Sequence, residues 1–419
     1  MAQATATSAE SISAQDYNPI SPEVRANPYP YYAALRREDP VRQIVPGMPI
    51  FAASRFEDVE FALHHPELFS STAFRMLTQG GGLGPNSGAL AGHRIVETPM
   101  MISVDPPEHS RLRNIVNRGF TPRRIAALEP RVRAIAEGLV DAVAPSGQMD
   151  LVADLAIALP VRMIAELLGI EIERLDDFKR WSDTITLGLA GVAGEFSPEE
   201  IRSAADDVSN YMDEVAADRR VRPRDDLVSV LVQAQEGDAL SNDEVVSFAF
   251  LLLIAGNETT TNLIGNATRA LLEHPEQLAE VAADPKLIPA MIEEALRYDA
   301  PIQVLPRLAT RDLELGGAKL PKEAQILLLF GSANRDEARF PDPDRFDIHR
   351  DAQPHLAFGH GVHFCLGAAL ARLEARVAFE TLFSRCRDLR LGTEAVTMLD
   401  SLLLRGPKSL PLTFSARRA

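Results

Sequence analysis

Between Phe358 and Gly367 the chain reads FGHGVHFCLG, which places three glycines, two histidines and one of the chain's two cysteines in ten residues. Cys386 sits in the helical pattern FETLFSRCRDL and reads as a small buried apolar side chain. Cys365 has different neighbours. Gly359, Gly361 and Gly367 permit turns that side chains would obstruct, and the strongly periodic AALARLEARVAFETLF follows. The sulfur therefore precedes a helix N-terminus, where free amides and the helix dipole favour a thiolate. A thiolate there can be a nucleophile, a zinc ligand or a haem ligand. His349, His355, His360 and His363 make zinc worth weighing, although the paired spacings of zinc modules are missing.

A second cluster with chemical potential is AGNETTT, residues 255–261. Gly256 removes a side chain where something must come close to the backbone. Glu258 is an acid following a dozen mostly apolar residues, and a buried acid needs a reason to be there. The helix carrying them starts at SNDE, where Ser241 and Glu244 form a capping box, and it runs to the stop at His274–Pro275. At the usual rise it is roughly 50 Å long, enough to cross a whole domain.

The remaining elements fit around this axis. From about Ser21 to Leu296 most segments have helical periodicity. VRQIV and PIFAAS read as a hairpin near the N-terminus, and LELGGAKL and AQILLLF as later strands. The expected class is mainly α with a minor β part. The glycine-rich TQGGGLGPNSGALAGH, Thr78 to His93, reads as a mobile surface segment of the kind often used as a lid. Residues 1–20 lack the pattern of a signal peptide and read as a disordered leader, with 21–419 as a single domain. The longest apolar run is too short to span a bilayer.

Lys and Arg number 43 against 59 Asp and Glu, a net charge of −16. So acidic a surface disfavours nucleic acid as a partner. Two cysteines imply no disulfide framework and a reducing compartment, so a soluble cytoplasmic protein with no membrane partner is expected.

FGHGVHFCLG resembles the haem-binding signature of the cytochrome P450 family, Phe-x-x-Gly-x-x-x-Cys-x-Gly, at Phe358, Gly361, Cys365 and Gly367. The resemblance extends over nearly the whole chain after the leader. It implies a single long central helix over haem b with small β-sheets, and Cys365 as the axial thiolate ligand of the haem iron. Phe358, Gly359, Gly367, Ala255 and Gly256 are implied to border the haem. His109 and Arg113 of DPPEHSRLR, Arg307 and His363 are implied to hold its propionates. AGNETTT is similar to the family's oxygen-activation motif, which implies that Thr259 hydrogen-bonds the reacting oxygen and Glu258 relays protons. Glu294 and Arg297 of EALR resemble a structural pair that the family completes with a later arginine, here Arg345.

The activity implied is that of a monooxygenase, which inserts one atom of O2 into a lipophilic small molecule by hydroxylation or epoxidation. Electrons would come from NAD(P)H through a ferredoxin or flavodoxin and its reductase, and the enzyme would act as a monomer. Arg111, Arg118, Arg123, Arg124 and Arg372 form a candidate basic patch for that donor, against the alternative of a solvated charged face. The substrate pocket is expected from the Gly-rich loop, the region of Trp181 to Phe196, and Leu252, Ala255, Val304, Leu305 and Leu402. A peroxide-driven peroxygenase, or a non-catalytic haem- or zinc-binding protein, is the alternative.

Overall fold

The computed structural model describes residues 12–75, 86, 88–189, 196–233 and 240–417. The long helix spans Asn242–Glu273, and its start has a local cause. The Ser241 hydroxyl accepts from the Glu244 amide while the Glu244 carboxylate accepts from the Ser241 amide, which satisfies two donors that helix geometry leaves free. Apolar residues surround this helix on most sides, because it is packed by the helices Ala158–Leu168, Pro198–Val221, Ile288–Tyr298 and Ala368–Arg385. A helix enclosed this way is apolar around its circumference rather than along one stripe.

The Pro198–Val221 helix opens as SPEE suggests, with Ser197 and Glu200 forming a capping box and Pro198 in the first turn. Residues 190–195 just before it, and 78–85 and 87 of the Gly-rich segment with the two residues before it, lie outside the described residues. So do residues 1–11 of the expected leader. Its second part is folded: Ala14 and Tyr17 are buried against Tyr32 and Leu35, and the Ala14 amide donates to Glu38 at 2.8 Å. The expected boundary at residue 20 is therefore too late. Tyr17 buries its ring in this contact, a gain that the polar composition of the preceding residues hides.

The sheets tie distant parts of the chain together. In the largest, Val41–Gln43 and Ile50–Ala53 form the expected hairpin; Ile50–Ala53 pairs in parallel with Gln325–Leu329, then Val304–Ala309 and Phe69–Ser70 follow antiparallel. LELGGAKL forms its own hairpin, Leu313–Leu315 with Ala318–Leu320, turned by Gly316 and Gly317 at positive φ. A three-stranded sheet joins Gln148–Asp150 to Pro411–Ala416 and Cys386–Leu391. Among the described residues no helix is long and apolar enough to cross a membrane.

Candidate active site

Four segments meet around an internal cavity of about 330 Å³. The long helix contributes Leu252, Ala255, Gly256 and Thr259; the helix Glu108–Val116 contributes His109 and Arg113; the strand Val304–Ala309 contributes Leu305 and Arg307. The loop into the Ala368–Arg385 helix contributes Phe358, Gly359, His363, Cys365 and Gly367. Residues dispersed over more than 250 positions of sequence thus share one wall.

The cysteine loop is built by its own backbone. Gly359 and Gly361 take φ of +66° and +68°, which their lack of a Cβ permits, and the Cys365 amide donates to Phe358 O at 2.9 Å. The thiol accepts from the amides of Gly367 and Ala368 and feels Arg113 and Arg372. Burial outweighs these influences and holds the thiol above its ordinary range, so the acidification expected from the helix N-terminus alone is not the net outcome. A positive ion bound at the sulfur would reverse that balance.

Opposite charges are scarce around the basic groups of the cavity. Arg307 is buried and lowered to about 10 by desolvation, relieved only in part by Asp105. Arg113 is lowered by desolvation as well. His363 is held neutral, at about 3, by burial and by the neighbouring Arg307, His109 and Arg113, while its Nε2 shares a hydrogen bond with Ser71 Oγ at 2.9 Å. The ring of His109 lies 4.1 Å from that of His363 at a tilt of 51°, and its buried Nε2 has no hydrogen-bond partner. Two desolvated guanidinium groups and an orphaned imidazole nitrogen beside a thiol suit a group bearing two carboxylates and a thiolate-seeking metal, which describes haem b.

On the facing wall Thr259 donates to Ala255 O at 2.7 Å. Glu258 is buried but lies outside the cavity wall, one residue and about 100° around the helix from Thr259. The approach that requires Gly256 is partly a helix contact, since a Cβ there would come within 2.8 Å of Ile164 Cδ1.

Several expected assignments are corrected. Val304 faces away from the cavity into a cluster with Leu327 and Leu329, because adjacent strand residues point to opposite sides and Leu305 and Arg307 take the inner one. Leu402 packs on that same outer cluster, and Leu403 and Leu404 line the cavity instead. Arg345 is not the third member of the buried pair. Arg297 makes a two-point bond to Glu294, at 2.7 and 2.9 Å, and binds the carbonyl of Arg345, but the Arg345 side chain is 64% exposed and pairs with Asp347. Arg350, 11% exposed with Nε 3.4 Å from Glu294, takes that place.

The candidate basic patch is largely compensated. Arg111 is held by Glu108 and Glu244, Arg124 by Asp225, and Arg372 in two-point contact by Glu293. Nor do the four histidines before Cys365 converge on it: His349 pairs with Glu280, His355 with Glu293, His360 with Glu60 and His363 with Ser71.

Sequence reasoning missed Phe74, Ile102, Thr186 and Phe248 in the apolar wall, and Glu374. Glu374 is buried in the Ala368–Arg385 helix and raised to about 8 by desolvation. Its acid in the otherwise apolar face of ALARLEARVAF was the available signal.

A mainly helical fold with a thiol and paired arginines around an apolar cavity defines a haem-thiolate protein. Residues 198–414 match the family described as Cytochrome P450. The chain is 41% identical over 400 residues to the vitamin D(3) 25-hydroxylase of Pseudonocardia autotrophica, covering 94% of this chain and 95% of that one. It is 36% identical to the cytochrome P450 monooxygenase PikC of Streptomyces venezuelae, over 96% and 95% of the two chains. Cytochrome P450 CYP109Q5 from Chondromyces apiculatus superposes with a TM-score of 0.87 at 42% identity, over 97% of this chain and all of that one. CYP109E1 from Bacillus megaterium, solved in complex with testosterone, gives a TM-score of 0.81 at 35% identity, over 92% and 99%. The chain belongs to the cytochrome P450 family, in its bacterial branch, and is a monooxygenase that uses haem b.

Proposed function

We propose that this monooxygenase hydroxylates or epoxidises a polycyclic, largely apolar small molecule of steroid-like size. The single observation behind this reading is the cavity wall, where Phe248, Leu252, Ile102, Leu305 and Leu403 share the lining with Thr259 and Cys365. Such a lining binds by burying apolar surface, with one or two polar groups to set orientation. The relatives' names support a rigid lipophilic substrate: one hydroxylates vitamin D(3), and another was solved with testosterone.

Haem, when bound, would supply the dioxygen chemistry, and Cys365 would hold it as the thiolate ligand. Arg113 and Arg307 would neutralise and orient the propionates, and the uncharged imidazoles of His109, through its unpartnered Nε2, and His363 would each add a hydrogen bond. Phe358, Gly359, Gly367, Ala255 and Gly256 border the haem. Thr259 holds a proton at Oγ1, given to Ala255 O at rest, which it would be placed to offer to the reacting oxygen. Glu258 restores that proton from the far side of the helix. NAD(P)H electrons arrive through a ferredoxin or flavodoxin and its reductase, in the cytoplasm, to a monomer.

Adding testosterone to the oxidised holoenzyme is expected to shift the Soret band toward the high-spin position with saturable, micromolar binding. A normal red-shifted carbon monoxide band with no response to steroids or secosteroids would overturn the substrate class. Loss of that red-shifted band is expected in Cys365→Ser. Its retention would overturn the ligand assignment.

A further inference from the structure

Glu60 and His64 stand one turn apart on the same face of the helix Phe56–His64. His360 meets them from the cysteine loop. Its Nδ1 lies 3.3 Å from Glu60 Oε1, and its ring centroid is 5.6 Å from that of His64. One ligand-type atom from each of the three falls within 4.8 Å of the other two. The backbone enforces this meeting. Gly361, at φ +68°, is pressed onto the end of the helix so closely that a Cβ would sit 2.4 Å from Leu63 O, and it leaves His360 facing the last turn.

We propose that Glu60, His64 and His360 form a binding site for a divalent transition-metal ion of the zinc type, separate from the haem iron. Two imidazoles and one carboxylate are a borderline N2O donor set, which favours zinc and its neighbours over magnesium or calcium, ions that prefer all-oxygen shells. Metal–ligand bonds of about 2.0–2.2 Å in a tetrahedron place ligand atoms about 3.3–3.6 Å apart. The Glu60–His360 pair already has that separation. His64 is exposed, so its ring turns into place without disturbing packing. Water takes the fourth position. His360 also belongs to the cavity wall, so a bound ion fastens the segment carrying Cys365 to the helix Phe56–His64.

The test uses chelator-treated holoenzyme titrated with zinc sulfate by calorimetry, alongside thermal unfolding with and without zinc. One ion per chain is expected, with a dissociation constant in the low micromolar range or below and a zinc-dependent rise in melting temperature. His64→Ala and Glu60→Gln are each expected to weaken binding at least tenfold and to abolish the thermal shift, with haem content and the carbon monoxide spectrum unchanged. His349→Ala, at a surface pair elsewhere, is expected to bind zinc like the wild type. Absence of saturable one-to-one binding would overturn the site. So would binding that His64→Ala and Glu60→Gln both leave within twofold, since the ion would then rest on other histidines.

Discussion

Thr259 differs from the threonines beside it in where its hydroxyl points. Thr261 gives its proton to Ala156 O inside the core, at 2.9 Å, whereas Thr259 keeps its own on a carbonyl at the cavity wall. In Thr259→Ala the wall loses its hydroxyl without losing shape. NAD(P)H oxidation is then expected to stay within about twofold while product falls roughly tenfold and hydrogen peroxide rises, general acid assistance being worth about 10²–10⁴ in rate. Equal coupling in variant and wild type would remove Thr259 from the chemistry.

Glu374 permits a pH prediction. Its carboxyl is raised from 4.5 to about 8, so between those values the folded protein binds a proton that the unfolded chain has released. Wild-type stability therefore falls as pH climbs from 4.5 to 8, by up to about 5 kcal/mol for this one group. Glu374→Gln cannot ionise. Its melting temperature is expected to match the wild type near pH 5 and exceed it increasingly toward pH 8, and parallel curves would refute the neutral acid.

Among the elements, the Ile288–Tyr298 helix shows how little an isolated spacing reveals. Glu294 and Arg297 stand three apart like many surface pairs, yet both are fully buried, with Arg297 also donating to the carbonyls of Asn334, Pro343 and Arg345. The helix thereby pins the irregular segment that leads to the cysteine loop. Removing Arg345 leaves only an exposed pair with Asp347 undone, so Arg345→Ala is expected to cost less than about 0.5 kcal/mol. Arg350 holds the fully buried Glu294 and the carbonyl of Asp342 with a side chain only 11% exposed, so Arg350→Ala is expected to cost about 2–4 kcal/mol. Urea unfolding followed through the Soret band and tryptophan fluorescence separates the two, and a reversed order would restore Arg345 as the third member. The strand Val304–Ala309 makes a related point. VLPRLA carries no clean alternation, and which parity faces inward depends on its pairing with Gln325–Leu329, where Leu305 meets Leu328 and Arg307 meets Ile326.

At the scale of the molecule, Asp299 joins regions that are far apart in the chain. It accepts from Tyr29 Oη at 2.5 Å and from Arg405 Nε at 2.9 Å, and it also binds Arg269 of the long helix. Desolvation alone would raise this carboxyl, but Arg405, Arg269 and Arg335 more than offset it and hold it below 3.8. Its contribution is therefore complete above pH 3.8 and is lost as pH falls through the lower folded value. Asp299→Ala leaves the buried Arg405 and the half-buried Arg269 and Tyr29 without their shared partner. A loss of about 3–5 kcal/mol is expected, seen as a lower apparent melting temperature at pH 7. An unchanged melting temperature would show that solvent reaches this junction.

Much of the site was legible in FGHGVHFCLG, AGNETTT and DPPEHSRLR because their chemistry is local: glycines that permit a loop, a thiol next to a helix start, and two side chains one turn apart. The ends of the long helix were equally legible, since Ser241 and Glu244 satisfy amides within three residues of themselves. Only the tertiary structure decided that Arg350 rather than Arg345 reaches Glu294, that Leu305 rather than Val304 faces the cavity, that the basic surface is compensated, and that His360 meets Glu60 and His64. These outcomes depend on which segment lies opposite a side chain. Caps and turns draw on neighbours a few bonds away, whereas the partner of a long charged side chain and the inner face of a strand are selected by packing between segments tens to hundreds of residues apart.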